Sequence, residues 1–249
     1  MEVVTVPSYE DLSLRAAETV CKAIGEKPDL VLGLPTGATP IGMYRQLVAA
    51  HRRGNVGFSR VRTFNLDEYL GLSPEHPASY HTYMRDHFLS HIDLQPNQVH
   101  IPNGAAPEPH VECHTYENAI AGAGYLDLAV LGIGLNGHVG FNEPGLELRA
   151  NVHVARLSVE TRRLAFEYWS ETDPRHFARL SEFPSRAITM GMGTIFKAER
   201  ILLLASGATK AQAVHRAIAG PLTPQVPASF LQLHRHVTVL VDSAAAELL

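Results

Sequence analysis

The chain alternates short apolar runs with stretches of helical spacing, and this predicts an α/β fold: a doubly wound, mostly parallel sheet with helices on both faces, in a single domain over residues 1–249. Two further observations support it. Parallel strands need long crossover connections, which are right-handed, and the amphipathic stretches between the apolar runs are long enough to supply them. A chain of 249 residues with 45% apolar and 18% charged residues can bury one large core, and no internal repeat, low-complexity stretch or linker divides it.

Each element has a local reason. Val3 to Val6 is a first strand, and Ser8, with Asp11 three residues on, caps an amphipathic helix to about Ile24. Leu30 to Leu34 is the second strand. In the PTGATP segment that follows, Thr39 is expected to cap a helix that starts at Pro40, where a missing N–H is harmless, and runs to about Arg53. Val61 to Asn65 is the third strand, followed by the adjacent acids Asp67 and Glu68. Ser79 to His91 and Pro109 to Ala123 are predicted helices on either side of a short strand at Val99 to Ile101, and Leu126 to Ile133 is a buried strand. Ser158 to Trp169 has helical spacing. The last third repeats the pattern: strand Ala187 to Met190, a short helix near Gly193 to Ala198, strand Ile201 to Ala205, helix Thr209 to Ala219 and strand Val237 to Val241.

Composition narrows the partner. Net charge is -4, with both signs scattered, so nothing suggests a nucleic-acid footprint or a membrane-surface helix. A small molecule is the expected ligand. Two cysteines are too few for a disulfide framework, no apolar run reaches membrane length, and the opening MEVVTVPSYE lacks a basic leader, so a reduced, cytoplasmic protein is expected.

Ligands of open α/β sheets bind beyond the carboxyl ends of the strands, so three segments that directly follow strands should share one crevice: PTGATP, NLDEYLGL and GLNGHVGFNEPG. Thr36, Gly37, Ala38 and Thr39 offer backbone N–H groups, two hydroxyls and a helix N-terminus, an arrangement that attracts a phosphate; a well-capped turn with no ligand is the plainer reading. Asp67 is a candidate base, or else one of two solvated loop charges. The Leu131 to Gly145 stretch holds five glycines, Gly137 among them as an expected substrate contact, with Asn136, His138 and Glu143, which suits a site loop rather than a core. His138 reads as a general acid/base oriented by a carboxylate, or as a structural histidine in a turn. Gly132, Gly134 and Gly137 also spell the dinucleotide fingerprint, but Pro144 and the following glycines prevent the helix that this motif must open.

LGLPTGATP, FNLDEYLGL, LGIGLNGHVGFNEPG and the tail from Ser206 through Lys210 to LQLH and VTVLVD resemble, in order and spacing, the glucosamine-6-phosphate deaminase (isomerase) family. The resemblance covers nearly the whole chain. Related 6-phosphogluconolactonases share the fold but lack the FNEP continuation. The resemblance implies isomerisation and deamination of glucosamine 6-phosphate to fructose 6-phosphate and ammonia, with no metal or organic cofactor. Asp67 matches the family's C2 proton acceptor and His138 its ring-opening histidine, with Glu143 orienting it and neutral Asn136 as the third member of that relay. Lys210 and the turn after the second strand match phosphate ligands.

Two departures from the family are expected to matter. Where it has a phosphate-binding arginine in a mobile segment, this chain places Glu167; Arg162 or Arg163 is expected to substitute, with a differently closing lid or an altered substrate as the other readings. Basic residues that mediate activation by an acetylated sugar phosphate in hexameric members align with His153 and Ala155. An unregulated monomer or low-order homo-oligomer is therefore expected. The histidine pairs His87 and His91, His110 and His114, and His234 and His236 lack a third ligand at recognisable spacing and read as solvated faces. Phe166, Tyr168 and Trp169 are expected to pack a lid or core.

Overall fold

The computed structural model describes residues 1–172 and 176–249. Its strands are β1 (Glu2–Val6), β2 (Val31–Leu34), β3 (Arg62–Asn65), β4 (Asp67–Tyr69), β5 (Val99–His100), β6 (Leu128–Gly132), β7 (His153–Arg156), β8 (Arg186–Thr189), β9 (Arg200–Ala205) and β10 (Val237–Asp242). Its α-helices are α1 (Tyr9–Glu26), α2 (Ile41–Arg52), α3 (Tyr80–His87), α4 (Pro109–Gly122), α5 (Val159–Thr172), α6 (Met192–Phe196) and α7 (Ala211–Ile218). Seven strands form a wholly parallel sheet in the order β1-β10-β9-β6-β2-β3-β5.

Side chains alternate across this sheet and both faces are covered. Along β6, Leu128 and Val130 join the core formed with α1, α2 and α3, whereas Ala129 and Leu131 join the core formed with α4, α6 and α7. Two-sided burial is what makes such strands continuous apolar runs in the sequence. The chain winds outward from β2 through β3 to β5 and, in the other direction, from β6 through β9 to β10. The order therefore reverses between β2 and β6, and their carboxyl ends open a crevice there.

A second, antiparallel sheet in the order β4-β8-β7 lies beyond the carboxyl end of β3. It was not legible in advance: β4 is three residues long and pairs with a strand more than a hundred residues away. There Asp67 stands opposite Thr189. The expected helix from Ser79 to His91 instead divides into α3 and a 3-10 turn at Leu89–His91, because Phe88 leaves helical geometry at φ -146°. The predicted helix from Thr209 likewise begins as a 3-10 turn, Ala208–Lys210, before α7.

The expected caps meet different fates. Ser8 caps α1 by accepting the Asp11 N–H, as the sequence implied. Thr39 does not cap α2, whose N-cap is Pro40 with no side-chain hydrogen bond. The reason is tertiary: the Tyr9 hydroxyl of α1 accepts the Gly42 N–H at 2.9 Å and donates to the Thr39 carbonyl at 3.0 Å. Thr39 is left to face the crevice.

Candidate active site

A cavity of roughly 310 Å³ occupies the switch point. Thr36, Gly37, Ala38 and Thr39, in the turn after β2, form one wall at the N-terminus of α2. Hydroxyls from both flanking helices hold this turn: Tyr44 of α2 donates to the Pro35 carbonyl at 2.5 Å and Tyr83 of α3 to the Gly37 carbonyl at 2.7 Å. Gly37 has φ +102°, which only glycine adopts without strain. Lys210 reaches the same cavity, its Nζ donating to the Ile133 carbonyl at 2.6 Å. Burial disfavours its charged form and lowers its pKa to about 8. An anion bound between turn and lysine would restore the charge.

Asp67 faces the cavity from the first position of β4 and is 5% exposed. Burial, reinforced by the charge of Glu68, pushes its carboxyl up to about 8. Glu68 points to the opposite face of the strand, where it accepts the N–H groups of Tyr69, Tyr80 and His81 and meets His81 Nδ1 at 3.0 Å. Neither acid is a solvated loop charge. Glu68 completes the N-terminus of α3, and Asp67 is the desolvated partner in the cavity. Gly140, at φ +57°, passes beneath Asp67: a Cβ there would lie 2.9 Å from Thr189 Oγ1 and 3.4 Å from Asp67 Oδ2. Asn142 ties this loop to β8 by donating to the Val139 and Met190 carbonyls at 2.9 and 2.8 Å.

His138 enters the same cavity from the glycine-rich loop after β6. Its ring lies against the backbone of Gly134, where a Cβ would come within 2.4 Å of Cε1 and Nε2. Nδ1 stands 3.8 Å from Glu143 Oε2, an ion-pair separation rather than a hydrogen bond, and 3.4 Å from Thr161 Oγ1. Asn136 acts from behind, donating to Glu143 Oε2 at 2.9 Å and accepting the His138 backbone N–H at 3.1 Å. Burial favours a protonated Glu143, but the imidazole and the hydrogen bonds of Thr161 and Asn136 outweigh it and hold the carboxyl at about 2. The result is a cavity-facing, largely buried imidazole backed by a carboxylate held in its charged form. It can move protons.

Three expected ligands lie elsewhere. The Arg162 guanidinium is engaged by the carbonyls of Phe183 and Ser181, the Nε bond to Phe183 being 3.0 Å, and Arg163 pairs with Glu167 at 2.8 Å on the outer face of α5. Neither arginine lines the cavity, and Glu167 does not approach it either. The helix instead presents Thr161, Leu164, Ala165, Tyr168 and Trp169, the i, i+3, i+4, i+7 and i+8 face. The aromatics thus contribute to the site's cover, as expected. Gly137 does not line the cavity and shapes the turn beside it: it has φ +89°, its carbonyl accepts the Ala228 N–H, and a Cβ would strike Val226 Cγ1 at 2.7 Å. Tyr69 and Tyr80, whose hydroxyls meet at 3.0 Å beside Asp67, and the clamps Tyr9, Tyr44 and Tyr83 had no local signal, since apolar-side tyrosines read as core. Among the described residues no group of three or more histidines, cysteines and acids could hold a metal ion, and no helix is long and apolar enough to cross a membrane.

Residues 8–240 match the model of a family described as glucosamine-6-phosphate isomerases/6-phosphogluconolactonase. A glucosamine-6-phosphate deaminase of Thermoanaerobacter sp. (strain X514) is 49% identical over 249 residues, which cover 100% of this chain and 95% of that protein. Glucosamine-6-phosphate deaminase 1 of Bacillus subtilis (strain 168) is 46% identical, with 100% of this chain and 99% of that protein covered. The solved structure of a monomeric glucosamine-6-phosphate deaminase superposes with a TM-score of 0.92 at 46% identity, covering 100% of both chains. A 6-phosphogluconolactonase from Trypanosoma brucei shares the fold, with a TM-score of 0.77 at 20% identity, covering 99% of this chain and 97% of that one. The cavity at the switch point, the turn after β2 that lines it and these full-length likenesses have one explanation: the chain belongs to the glucosamine-6-phosphate isomerase/6-phosphogluconolactonase family.

Proposed function

We propose that the protein converts glucosamine 6-phosphate and water into fructose 6-phosphate and ammonia, and that Asp67 and His138 carry the proton transfers. One observation supports this above the rest: a desolvated carboxylate and a carboxylate-backed imidazole, 71 positions apart in the chain, open into one cavity beside an anion-binding turn. The turn Thr36–Thr39 and Lys210 take the phosphate. His138 moves a proton between ring oxygen and anomeric hydroxyl to open the sugar, with Glu143 stabilising the imidazolium and Asn136 aiming Glu143. Ionised Asp67 then removes the C2 proton and returns it to C1, while water replaces the amine as the imine is hydrolysed. The full-length relatives bear the same activity in their names.

Arg162 and Arg163 are not among the proposed ligands, since both are committed elsewhere. The cytoplasm is the proposed compartment, in keeping with the free thiols of Cys21 and Cys113. The proposed oligomer is a monomer, as in the structural relative described above, built as one domain. Activation through the segment after FNEPG is not expected, because Ala155 is buried there and His153 is the sole basic group at the two aligned positions. Sigmoidal kinetics relieved by the acetylated sugar phosphate would overturn that expectation. The reaction is tested by assaying ammonia release from glucosamine 6-phosphate against hydrolysis of 6-phosphogluconolactone. Ammonia release without lactone hydrolysis is expected, and the reverse would replace the deaminase by a lactonase.

A further inference from the structure

A second cavity, of roughly 540 Å³, is lined by α2 and the segment around the C-terminus of α3 and shares no lining residue with the sheet crevice. Its walls are Arg45 and Arg52 of α2, His87 at the end of α3 and His91 in the 3-10 turn that follows, over an apolar floor that includes Val48. In a chain of net charge -4, this is a local concentration of cationic and donor groups. Among the described residues neither Arg45 nor Arg52 has an ion-pair partner. The single acid at the rim, Asp86, is paired with Arg85 at 3.1 Å, and its backbone carbonyl meets His91 Nε2 at 3.0 Å. Burial lowers the pKa of His87. At neutral pH that ring serves as a neutral donor beside two fixed charges.

The two helices that wall this groove also grip the phosphate turn. Tyr44, one residue before Arg45, holds the Pro35 carbonyl, and Tyr83, whose ring lies 4.6 Å from that of His87, holds the Gly37 carbonyl. The rings of Tyr44 and Tyr83 meet edge to face at 6.4 Å. Anything that draws Arg45 and Arg52 toward His87 and His91 changes the spacing of α2 and α3, and with it the grip on the turn.

We propose that this groove is a second anion site, for a small phosphate-bearing molecule, and that its occupancy changes the affinity of the sheet crevice for phosphate. Two free guanidiniums match a phosphate dianion, and the cavity has room for an organic body besides the phosphate. The groove lies on other helices than the segment after FNEPG, so it is separate from the activation considered above. Only the kinetic consequence rests on the proposed reaction; binding does not.

The test is calorimetric titration of the full-length protein with inorganic phosphate and, separately, with glucose 6-phosphate. Two binding events are expected in the wild type. R45Q/R52Q, altered at exposed positions, should keep the crevice event and weaken the other at least about tenfold, as loss of charge-assisted hydrogen bonds implies. Lys210→Ala should do the reverse. Tighter binding of the ester than of phosphate at the groove identifies an ester as the natural ligand, and equal binding identifies phosphate itself. In the coupling arm, the added phosphate compound competes at the crevice in both proteins, so the shift it causes in the KM for glucosamine 6-phosphate should differ at least about threefold between the wild type and R45Q/R52Q at the same concentration. A single event that Lys210→Ala removes and R45Q/R52Q leaves intact would overturn the site. Equal KM shifts in the two proteins, with both binding events intact in the wild type, would overturn the coupling alone.

Discussion

In the proposed reaction Asp67 and Lys210 work in opposite protonation states, and burial brings both pKa values to about 8. The carboxylate has to be ionised to accept the C2 proton, and the ammonium has to be charged to hold the phosphate. Two independent groups with midpoints near 8 leave about one quarter of the molecules competent at pH 8 and about one in a hundred at pH 6 or pH 10. kcat/KM for ammonia release should therefore be bell-shaped with its maximum near pH 8, falling roughly 25-fold over two units on either side. The substrate's amine and phosphate also titrate, but they contribute equally to every variant, so the readout is the ratio of wild-type to variant kcat/KM across pH. Lys210→Arg keeps its charge at all working pH values. The wild-type to Lys210→Arg ratio should be flat below pH 7 and decline above pH 8. Glu68→Gln removes the charge that helps raise Asp67, so its acid limb should move to lower pH. A wild-type acid limb with a midpoint near 4, or a ratio to Lys210→Arg that is flat throughout, would refute the reasoning.

Other consequences are separable. Gly134→Ala puts a Cβ 2.4 Å from the His138 ring, so the ring must move; a displacement of about 1 Å costs roughly 100-fold in kcat, with an unfolding curve close to that of the wild type. Normal kcat in that variant would separate His138 from the chemistry. Arg162→Ala removes bonds to the Phe183 and Ser181 carbonyls and should lower stability by about 1–3 kcal/mol while leaving KM nearly unchanged. Arg163→Ala and Glu167→Ala break a half-exposed pair and should change stability by less than about 1 kcal/mol, with KM within about twofold of wild type. A large rise in KM for any of the three would show that α5 rearranges around the substrate. Asp67→Asn bears on stability as well. The folded-state pKa is raised from 3.8 to about 8, so the folded protein keeps a proton that the unfolded chain releases, and wild-type stability declines as pH climbs through that interval. At about 1.4 kcal/mol per unit, Asn should be the more stable residue at pH 9 by up to several kcal/mol, with the advantage fading toward pH 4. Melting temperatures of the two proteins at pH 5 and pH 9 check this, and a gap independent of pH contradicts it.

The parallel sheet was legible because two-sided burial leaves a plain record: β2, β6, β9 and β10 are apolar runs ended by proline, glycine or polar residues. The convergence of three loops on one crevice followed from the same alternation, since a doubly wound sheet puts all its strand-following loops at one edge. What failed was non-local. Thr39 has every local qualification as a cap, yet the Tyr9 hydroxyl from another helix supplies the missing acceptor. The second sheet pairs a three-residue strand across more than a hundred positions, and no periodicity extends over three residues. The arginines of α5 enter as candidate ligands through the family resemblance, which asks for a cation where this chain has Glu167, and not through the helix face they occupy. On a helix entered at Val159, the stripe facing the cavity is Thr161, Leu164, Ala165, Tyr168 and Trp169, which leaves Arg162 and Arg163 outside it. The face pattern was present in the sequence, and the demand for a cation obscured it. Gly134 carries no local signal beyond its place in the glycine pattern, because its role depends on which ring packs upon it.

Whether one carboxylate performs the carbon-to-carbon proton transfer is the point on which the chemistry stands. The direct measurement is ammonia production by Asp67→Asn at saturating glucosamine 6-phosphate, paired with calorimetric binding of the same sugar phosphate to that variant. Turnover should drop to background while binding stays within a few-fold of wild type; a variant that still releases ammonia at a rate comparable to the parent would assign the proton transfer to another group.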